Sequence, residues 1–442
     1  MSMVPVFRIA APAAVLGAAL AWTVSPGSIA APRAAPAQAI RASVPPAMPR
    51  AASADEAAPL PGIDVLLRDS LHLVRGRRVG LITNHTAVTR AGRSDIDVLH
   101  ATPGVRLVAL YAPEHGIRGT TEGGEAISSG RDARTGVPVF SLYGATQRPT
   151  SAMLAGVDVL LFDIQDIGAR PYTYVWTMTF AMEEAAKRGI PFVVLDRPNP
   201  VTARAEGPLM QWEMRRRGPL ITGAYPVPLR HGLTAGELAR YVNREYGIGA
   251  RLTVVPVAGW QGNRWFDETG LPWINPSPNI RSLDAALSFS GLVMLETTSL
   301  NVGRGTDAPF SYVGAPYVDG AELLRRVNAY RLPGVRFERA DWTPRGSGWM
   351  QFAGRPCHGV RLTVTDREAY RPVLTALVFL VELEKLYPRS LGMGSMRQML
   401  GSEWAPAAVR RGDDPRAIFA RWERENADWT RRVARYKLYP AE

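Results

Sequence analysis

The sequence predicts an α/β fold with two domains: a Rossmann-like parallel sheet, followed by a second, α+β domain. Short, β-branched and almost wholly apolar runs recur between residues 78 and 196, and such runs are typical of strands buried on both faces. Helical stretches separate these runs, and strand–helix alternation is typical of a parallel sheet. The chain has 442 residues, which is too long for one ordinary core, so two packed domains are expected.

The amino-terminal segment has the pattern of an export signal. Arg8 precedes an apolar run from Ile9 to Val24, and a small-residue site ends at Ala30. We interpret residues 1–30 as a cleaved signal peptide; an uncleaved anchor is the alternative, although the run is short for a membrane span. The Ala- and Pro-rich residues 31–58 are interpreted as a disordered spacer. An exported protein, periplasmic or secreted, without stable membrane insertion after signal cleavage is therefore expected.

The ordered elements are predicted from periodicity. In the first domain, residues 59–202, we predict strands over residues 78–83, 105–111, 137–142, 157–163 and 190–196, and helices over 94–101 and 174–188. In the second domain, residues 203–442, we predict strands over 253–257 and 292–295, and helices over 234–243, from 282, and over 320–330, 367–386 and 415–436. A loop rich in Trp, Pro and Asn connects 259 to 281.

Composition excludes several classes of function. The net charge is +12, but the arginines are spread along the chain without a nucleic-acid motif, so no nucleic-acid partner is expected. Cys357 is the only cysteine and is expected to be a buried structural thiol. Glycine-rich nucleotide motifs, a G-x-S-x-G elbow and H-E-x-x-H are absent, and His115 has no second histidine at metal spacing. No cofactor and no metal are therefore expected.

Polar residues follow four of the predicted strands. They are, in order, Asn84 and His85, Glu114 and His115, Asp163 and Asp166, and Asp196 and Arg197. In open parallel sheets, ligands bind outside the carboxyl ends of the strands, so these residues are expected to converge on one crevice. The alternative is that each merely caps the following helix. Because polar residues follow four strands, a shared site is favoured over four separate helix caps.

Two loops carry residues suited to acid–base chemistry. Glu114 and His115 lie in a loop whose glycines allow the backbone to approach a ligand closely. Asp163 and Asp166 are followed by Arg170, and clustered carboxylates suit acid–base work. The alternative for the second loop is an Asp166–Arg170 ion pair that shapes it.

The second half combines aromatic, amide and charged residues. Asn279 lies in the loop that carries Trp260, Trp265 and Trp273, and such residues suit sugar binding or, alternatively, core packing. Arg304 stands between two glycines, after Glu296, as an accessible cation that fits a ligand carboxylate.

Six motifs in order resemble the NamZ-type exo-β-N-acetylmuramidases. They are Pro113–Gly116, Asp163–Arg170, Tyr172–Tyr174, Leu195–Pro200, Pro276–Asn279 and Gly303–Thr306, and the resemblance covers roughly residues 60 to 440. It implies release of N-acetylmuramic acid from the non-reducing end of peptidoglycan fragments, an active site in the cleft between the two domains, and Glu114 as the catalytic residue. The lactyl carboxylate of muramic acid needs a cation, for which Arg170 and Arg304 are the candidates.

Motifs and resemblance together give the predicted site. The catalytic candidates are Glu114, His115, Asp163 and Asp166, and the substrate-binding candidates are Asn84, Arg170, Tyr172, Tyr174, Asp196, Arg197, Asn199, Asn279, Glu296, Arg304 and Thr306. The expected partners are muramic-acid saccharides derived from peptidoglycan. The alternatives are a non-catalytic protein that binds peptidoglycan fragments, and an amidase or esterase, which would need a nucleophile or metal site that the sequence does not show convincingly.

Overall fold

The structure, a computed structural model, describes residues 58–119, 125–216, 220–346, 350–392 and 394–440. The predicted signal peptide and all but the last residue of the predicted spacer lie outside these ranges. Within the ranges, no helix is both long and apolar enough to cross a membrane.

Among the described residues, seven strands form one mixed sheet in the order β3-β4-β2-β1-β5-β6-β7. In chain order they are β1 (Arg78–Thr83), β2 (Arg106–Ala112), β3 (Gly130–Arg131), β4 (Pro138–Ser141), β5 (Val159–Asp163), β6 (Phe192–Leu195) and β7 (Leu252–Val255). All neighbouring pairs are parallel except β3 and β4. The chain moves outward from β1 to β4 and then returns to β5 on the other side of β1, which is the switch point where such sheets bind ligands.

Helices cover both faces of this sheet. They are α1 (Gly62–Asp69), α2 (Asp95–Ala101), α3 (Tyr174–Lys187) and α4 (Ala235–Glu245). One buried cluster joins α1 and α2 to Val79 and Leu81 of β1, and a second joins α3 and α4 to Ile82 of the same strand. Because alternate residues of a strand point to opposite faces, both faces of the sheet are apolar and the strands read as continuous hydrophobic runs.

A second, antiparallel sheet follows with the order β8-β10-β9. Its strands are β8 (Tyr312–Ala315), β9 (Val335–Trp342) and β10 (Cys357–Val364), and the helices of this half are α5 (Leu283–Leu292), α6 (Gly320–Ala329), α7 (Pro372–Leu386), α8 (Met396–Met399), α9 (Trp404–Arg411) and α10 (Pro415–Val433). The apolar cluster that contains Ile82 continues through α5 and α7 to Val313 and Val360 of the second sheet. Cys357 is a buried free thiol.

The α/β fold class is confirmed, with a parallel-rich sheet and a second domain built around an antiparallel sheet. β1 has the predicted bounds. β7 lies beyond residue 202, where we place the domain boundary, so the first sheet continues into the second predicted segment.

Two predicted elements of the second half differ. The strand predicted over 292–295 is wrong: these residues finish α5 and continue as the 3-10 helix Val293–Thr297, because a short buried apolar run reads alike as strand or helix. The helix predicted from 367 begins at Pro372, since proline suits the first helical position and lacks the donor needed further in.

Candidate active site

A cavity of about 280 Å³ lies at the carboxyl edge of the seven-stranded sheet. Loops that follow β2, β4 and β5 form one side, and segments from the second half close it. The polar lining residues are Glu114, His115, Tyr143, Tyr172, Thr173, Thr222, Ser277, Glu296 and Arg304, and apolar contacts come from Ile221, Ile280, Phe289, Val293, Phe310 and Met399. The cavity thus has charged groups at its wall and aromatic surface around them.

Glu114 is held by hydroxyl groups from two other loops. Thr173 Oγ1 donates a hydrogen bond to Glu114 Oε2 at 2.7 Å. Burial, together with the charge of Glu114 and a hydrogen bond to it, raises the pKa of Tyr143, so this phenol stays protonated and donates to the carboxylate. His115, the next residue, has a φ of 68°, a left-handed conformation that few non-glycine residues adopt and that clusters at functional sites.

Gly119 allows the Glu114 loop to pack tightly against the loop that follows β1. A Cβ atom at Gly119 would lie 2.1 Å from ring atoms of His85, so a larger residue would displace the imidazole. His85 Nε2 lies 2.8 Å from the backbone oxygen of Asn275. Burial lowers the pKa of His85 despite this hydrogen bond, so the ring is neutral and joins three loops without adding charge.

Aromatic rings form a wall of the cavity. The ring of Tyr172 lies edge-on to Tyr174, with centroids 4.8 Å apart, and edge-on to Phe289 at 5.8 Å. Phe289 in turn contacts Phe310 at 5.0 Å. Tyr174 is fully buried behind this wall, and its hydroxyl donates to Pro276 O at 2.6 Å. Only the first of the two tyrosines therefore lines the cavity.

Glu296 and Arg304 form an ion pair in the lining of the cavity. Glu296 lies in the 3-10 helix Val293–Thr297, and Arg304 lies between two glycines with positive φ. Arg304 Nη2 donates to Glu296 Oε2 at 3.0 Å, and Arg304 Nε donates to Oε1. Burial alone would lower the pKa of Arg304, but the charge of Glu296 and its hydrogen bond outweigh burial and raise it. The guanidinium therefore stays charged at the cavity.

Asp163 and Arg197 lie outside the cavity lining, in a buried ion pair. Asp163 is the last residue of β5 and is completely buried. Arg197 Nη2 donates to Asp163 Oδ2 and to the backbone oxygen of Val88, both at 3.0 Å. Burial raises the pKa of Asp163, and the positive charge of Arg197 opposes this rise. The pair joins the ends of two strands, which is a structural role.

Asp196 also serves the edge of the sheet rather than the cavity. This fully buried carboxylate accepts hydrogen bonds from the amides of Arg197 and Gly236, at 3.0 and 2.9 Å, and from the hydroxyls of Thr234 and Tyr439, at 2.7 and 2.6 Å. Burial raises its pKa to about 6 despite these donors. Asp196 therefore connects β6 to the start of α4 and to the carboxyl-terminal segment.

Asp166 lies behind the cavity beside a buried histidine. Its Oδ2 accepts from the amide of Gly168 at 2.7 Å and lies 3.5 Å from His231 Nε2. Asn84 Oδ1 accepts from the amide and the hydroxyl of Thr86 at 2.9 and 2.6 Å. Neither Asp166 nor Asn84 is among the lining residues. Both shape the loops that carry the lining.

Arg170 is buried among backbone carbonyls. Its guanidinium donates to Pro208 O and Val227 O at 3.1 and 3.2 Å, and to Met399 O, and burial lowers its pKa to about 9. The Asp166–Arg170 ion pair considered as an alternative is not seen among the described contacts. Arg170 therefore connects three chain segments, and Arg304 is the candidate of the two that lines the cavity.

The remaining predicted residues have local roles. Asn199 Nδ2 donates to Leu233 O at 3.0 Å and its Oδ1 accepts from the amide of Val201 at 3.1 Å. Thr306 Oγ1 donates to Gly303 O at 2.6 Å, which closes the Arg304 turn. Asn279 is buried between the lining residues Ser277 and Ile280.

The structure thus brings together five of the predicted residues, namely Glu114, His115, Tyr172, Glu296 and Arg304. Sequence reasoning did not select Tyr143, Thr173 or Ser277 for the site. Tyr143 follows the predicted strand at 137–142, so the rule that polar groups after strands face the crevice would have found it. Thr173 and Ser277 lie inside quoted motifs. The apolar lining residues carry no such signal.

Within the described ranges, no group of three or more His, Cys, Asp and Glu residues is arranged to hold a metal ion. What the cavity offers is a carboxyl group with two hydroxyl partners, a charged arginine and aromatic surface. These groups suit proton transfer to a ligand that carries a carboxylate and an apolar ring face.

Comparison with known families matches nearly all of the described chain. A family model described as the N-terminal part of the exo-beta-N-acetylmuramidase NamZ matches residues 79–284, and one described as the C-terminal part matches residues 287–439. A peptidoglycan beta-N-acetylmuramidase NamZ from Bacillus subtilis (strain 168) is 41% identical over 382 residues, which cover 86% of this chain and 91% of that protein.

Two solved structures are similar to this fold. Both are DUF1343 family proteins from Bacteroides fragilis NCTC 9343. The first is 33% identical with a TM-score of 0.79, over 86% of this chain and 99% of that one. The second is 26% identical with a TM-score of 0.72, over 87% of this chain and 100% of that one.

Proposed function

Because the chain belongs to the exo-β-N-acetylmuramidase NamZ family, we propose that Glu114 and Arg304 carry the activity that this membership gives it. The protein is a glycosidase that releases N-acetylmuramic acid from the non-reducing end of peptidoglycan fragments. One observation carries the assignment of residues: a carboxyl group and a charged arginine line the same cavity. The first suits proton delivery, and the second suits the lactyl carboxylate that distinguishes muramic acid from glucosamine.

The size of the cavity supports cleavage from a chain end. Its volume of about 280 Å³ lies just below the usual range for ligand pockets, roughly 300–1,000 Å³. One modified sugar fills such a space, whereas an endo-acting enzyme needs a groove for several. The edges and faces of Tyr172 and Phe289 offer apolar surface for the pyranose ring.

Glu114 is proposed as the general acid. Cleavage of a glycosidic bond needs a proton on the leaving oxygen and assistance at the anomeric carbon. Thr173 and Tyr143 hold the Glu114 carboxyl group in one orientation, and this fixed geometry favours proton delivery to a bound sugar. His115 lines the cavity next to it and is proposed to contact the substrate.

Export is proposed from the amino-terminal pattern. Arg8, the apolar run and the site ending at Ala30 support a cleaved signal, and a substrate in the cell wall needs an enzyme outside the cytoplasm. We propose a periplasmic or secreted location.

Product analysis with a muramic acid–glucosamine disaccharide tests the function. Release of free N-acetylmuramic acid is expected, with N-acetylglucosamine as the other product. The alternative, a protein that binds fragments without cleaving them, predicts an intact disaccharide and no colour from a nitrophenyl muramoside.

A further inference from the structure

Glu296 and Arg304 separate two neighbouring cavities. Both residues line the 280 Å³ cavity that contains Glu114, and both also line a second cavity of about 170 Å³. Their side chains are 22% and 16% exposed, so the pair is accessible from the cavities although it is largely shielded from bulk water. A ligand that enters from the Glu114 side therefore meets this ion pair as a wall.

An incoming carboxylate has to compete with Glu296 for the Nε–Nη2 face of Arg304. Glu296 occupies two donors of the Arg304 guanidinium in a bidentate arrangement. Arg304 is the only arginine or lysine among the described residues that line the first cavity, and Glu114 and Glu296 are its two carboxyl groups. A carboxylate gains most from a bidentate contact with a guanidinium, and the direct route to this contact is to replace Glu296.

We propose that the lactyl carboxylate of muramic acid displaces Glu296 from Arg304, and that the released Glu296 acts as the second carboxylate of the reaction. This inference rests on the proposed function. Glu114 gives a proton to the leaving sugar's oxygen as the bond from that oxygen to the anomeric carbon breaks. A water oxygen forms the new bond to that carbon, and the proton that this water loses passes to Glu296. Exchange with solvent then restores the proton on Glu114 and removes the proton from Glu296.

The second cavity supplies room for this exchange. Leu300, Val302 and Met350 give it apolar surface, which suits the methyl group of the lactyl arm. Gln351 also lines it; its Nε2 donates to Thr298 O at 2.7 Å, while its buried Oε1 has no hydrogen-bond partner within the described residues. An acceptor of this kind can take an N–H of the guanidinium when the glutamate leaves.

The exchange couples recognition of the substrate to catalysis. A glucosamine glycoside fits the sugar site but brings no carboxylate, so Glu296 stays paired and the anomeric carbon receives no help from it. Discrimination between the two sugars is therefore expected in kcat as well as in KM. An arginine that only anchored the lactyl arm would discriminate in binding, mainly through KM.

Steady-state kinetics with nitrophenyl glycosides of N-acetylmuramic acid and N-acetylglucosamine test the exchange. Nitrophenolate leaves without protonation, so these rates report on assistance at the anomeric carbon rather than on Glu114. For Glu296→Gln, kcat on the muramoside is expected to fall by about 100-fold or more, with KM unchanged or lower because the lactyl carboxylate no longer competes with a charged residue. For the same variant, kcat on the glucosaminide is expected to fall by less than tenfold.

Glu322→Gln is the matched control. Glu322 accepts hydrogen bonds from Arg325 Nε and Nη2 at 2.7 and 2.6 Å on α6 and lines neither cavity. Glu322→Gln makes the same change of charge in a bidentate pair. It is expected to leave kcat and KM on both substrates within about twofold of the unaltered enzyme. A raised KM on the muramoside with unchanged kcat for Glu296→Gln would mean that Glu296 only positions Arg304, and would overturn the proposal.

A measurement on the unaltered enzyme covers the case in which Glu296→Gln fails to fold. Added lactate is expected to occupy Arg304 and to raise turnover of the nitrophenyl glucosaminide by about tenfold, while it inhibits the muramoside by competition. Lactate without effect on the glucosaminide, or lactate that inhibits it, contradicts the exchange. If the unaltered enzyme also leaves the natural disaccharide intact, the proposed function itself fails, so the two failures are distinguishable.

Discussion

Replacing Glu114 by Gln removes the ability of this side chain to give up a proton and leaves its shape almost unchanged. The carboxamide oxygen of Gln still accepts the hydrogen bond of Thr173, which is 2.7 Å long in the structure, so the free energy of unfolding is expected to change by no more than about 1 kcal/mol. Loss of a general acid typically costs roughly 100- to 10,000-fold in rate. This range corresponds to about 2.7–5.4 kcal/mol of activation free energy, well beyond the effect of the altered hydrogen bond.

The assay compares two leaving groups. Release of N-acetylmuramic acid from the natural disaccharide needs a protonated leaving oxygen. Its rate is therefore expected to fall by the full factor of roughly 100 to 10,000. Hydrolysis of the nitrophenyl muramoside needs little protonation and is expected to fall by less than about tenfold. If Glu114→Gln turns over the natural disaccharide within a few-fold of the unaltered enzyme, Glu114 is not the acid, and a structural role beside His115 replaces the proposal.

Four further predictions test the other assignments. Arg304→Ala is expected to lower kcat/KM on muramosides by about 10- to 100-fold and not to lower it on glucosaminides. Equal loss of activity on both sugars for Arg304→Ala would refute its role in reading the lactyl carboxylate. Arg170→Ala, which removes three contacts to backbone carbonyls, is expected to destabilise the fold by roughly 2–5 kcal/mol without changing sugar preference, and a selective loss on muramosides would refute this structural role. The pKa of Asp196 is about 6 in the folded protein against an ordinary 3.8, so between these values the folded state holds a proton that the unfolded chain has lost. Urea unfolding is therefore expected to show stability falling, relative to Asp196→Asn, by up to roughly 3 kcal/mol as pH rises from about 4 to about 6, and a flat difference would refute this. Amino-terminal sequencing of exported protein is expected to begin near Ala31, and an intact Met1 would refute signal cleavage.

The parallel sheet could be predicted from sequence because burial on both faces leaves a visible pattern. β1 carries apolar side chains toward α1 and α2 on one face and toward α3 and α4 on the other, so it reads as one continuous run. In the second sheet, β9 escaped prediction because it is largely exposed, and charged residues interrupt its apolar ones over Val335–Trp342. Short apolar runs such as Val293–Thr297 carry too little periodicity to separate a helix from a strand.

The candidate site could be predicted only in part, because polar residues at strand ends have two different uses. Glu114, after the end of β2, lines the cavity. Asp163 and Asp196, at the ends of β5 and β6, instead make buried contacts that stabilise the edge of the sheet. The partner that decides between these uses lies far away in the chain: Tyr439, which binds Asp196, is 243 residues distant. A local motif cannot reveal such a partner, so the sequence pattern finds the edge of the sheet but not which side chains face the ligand.

The charges of the cavity connect binding of the substrate with its cleavage. With Glu114 ionised, two carboxylates face one arginine, and a muramic carboxylate enters against a net negative charge. With Glu114 protonated, Glu296 and Arg304 balance each other, and the anion enters a neutral cavity. If the exchange at Arg304 operates, an anionic substrate is therefore expected to enter more favourably together with a proton on Glu114. A neutral glucosamine glycoside lacks this requirement, so a single proton on Glu114 contributes both to the choice of sugar and to the chemistry.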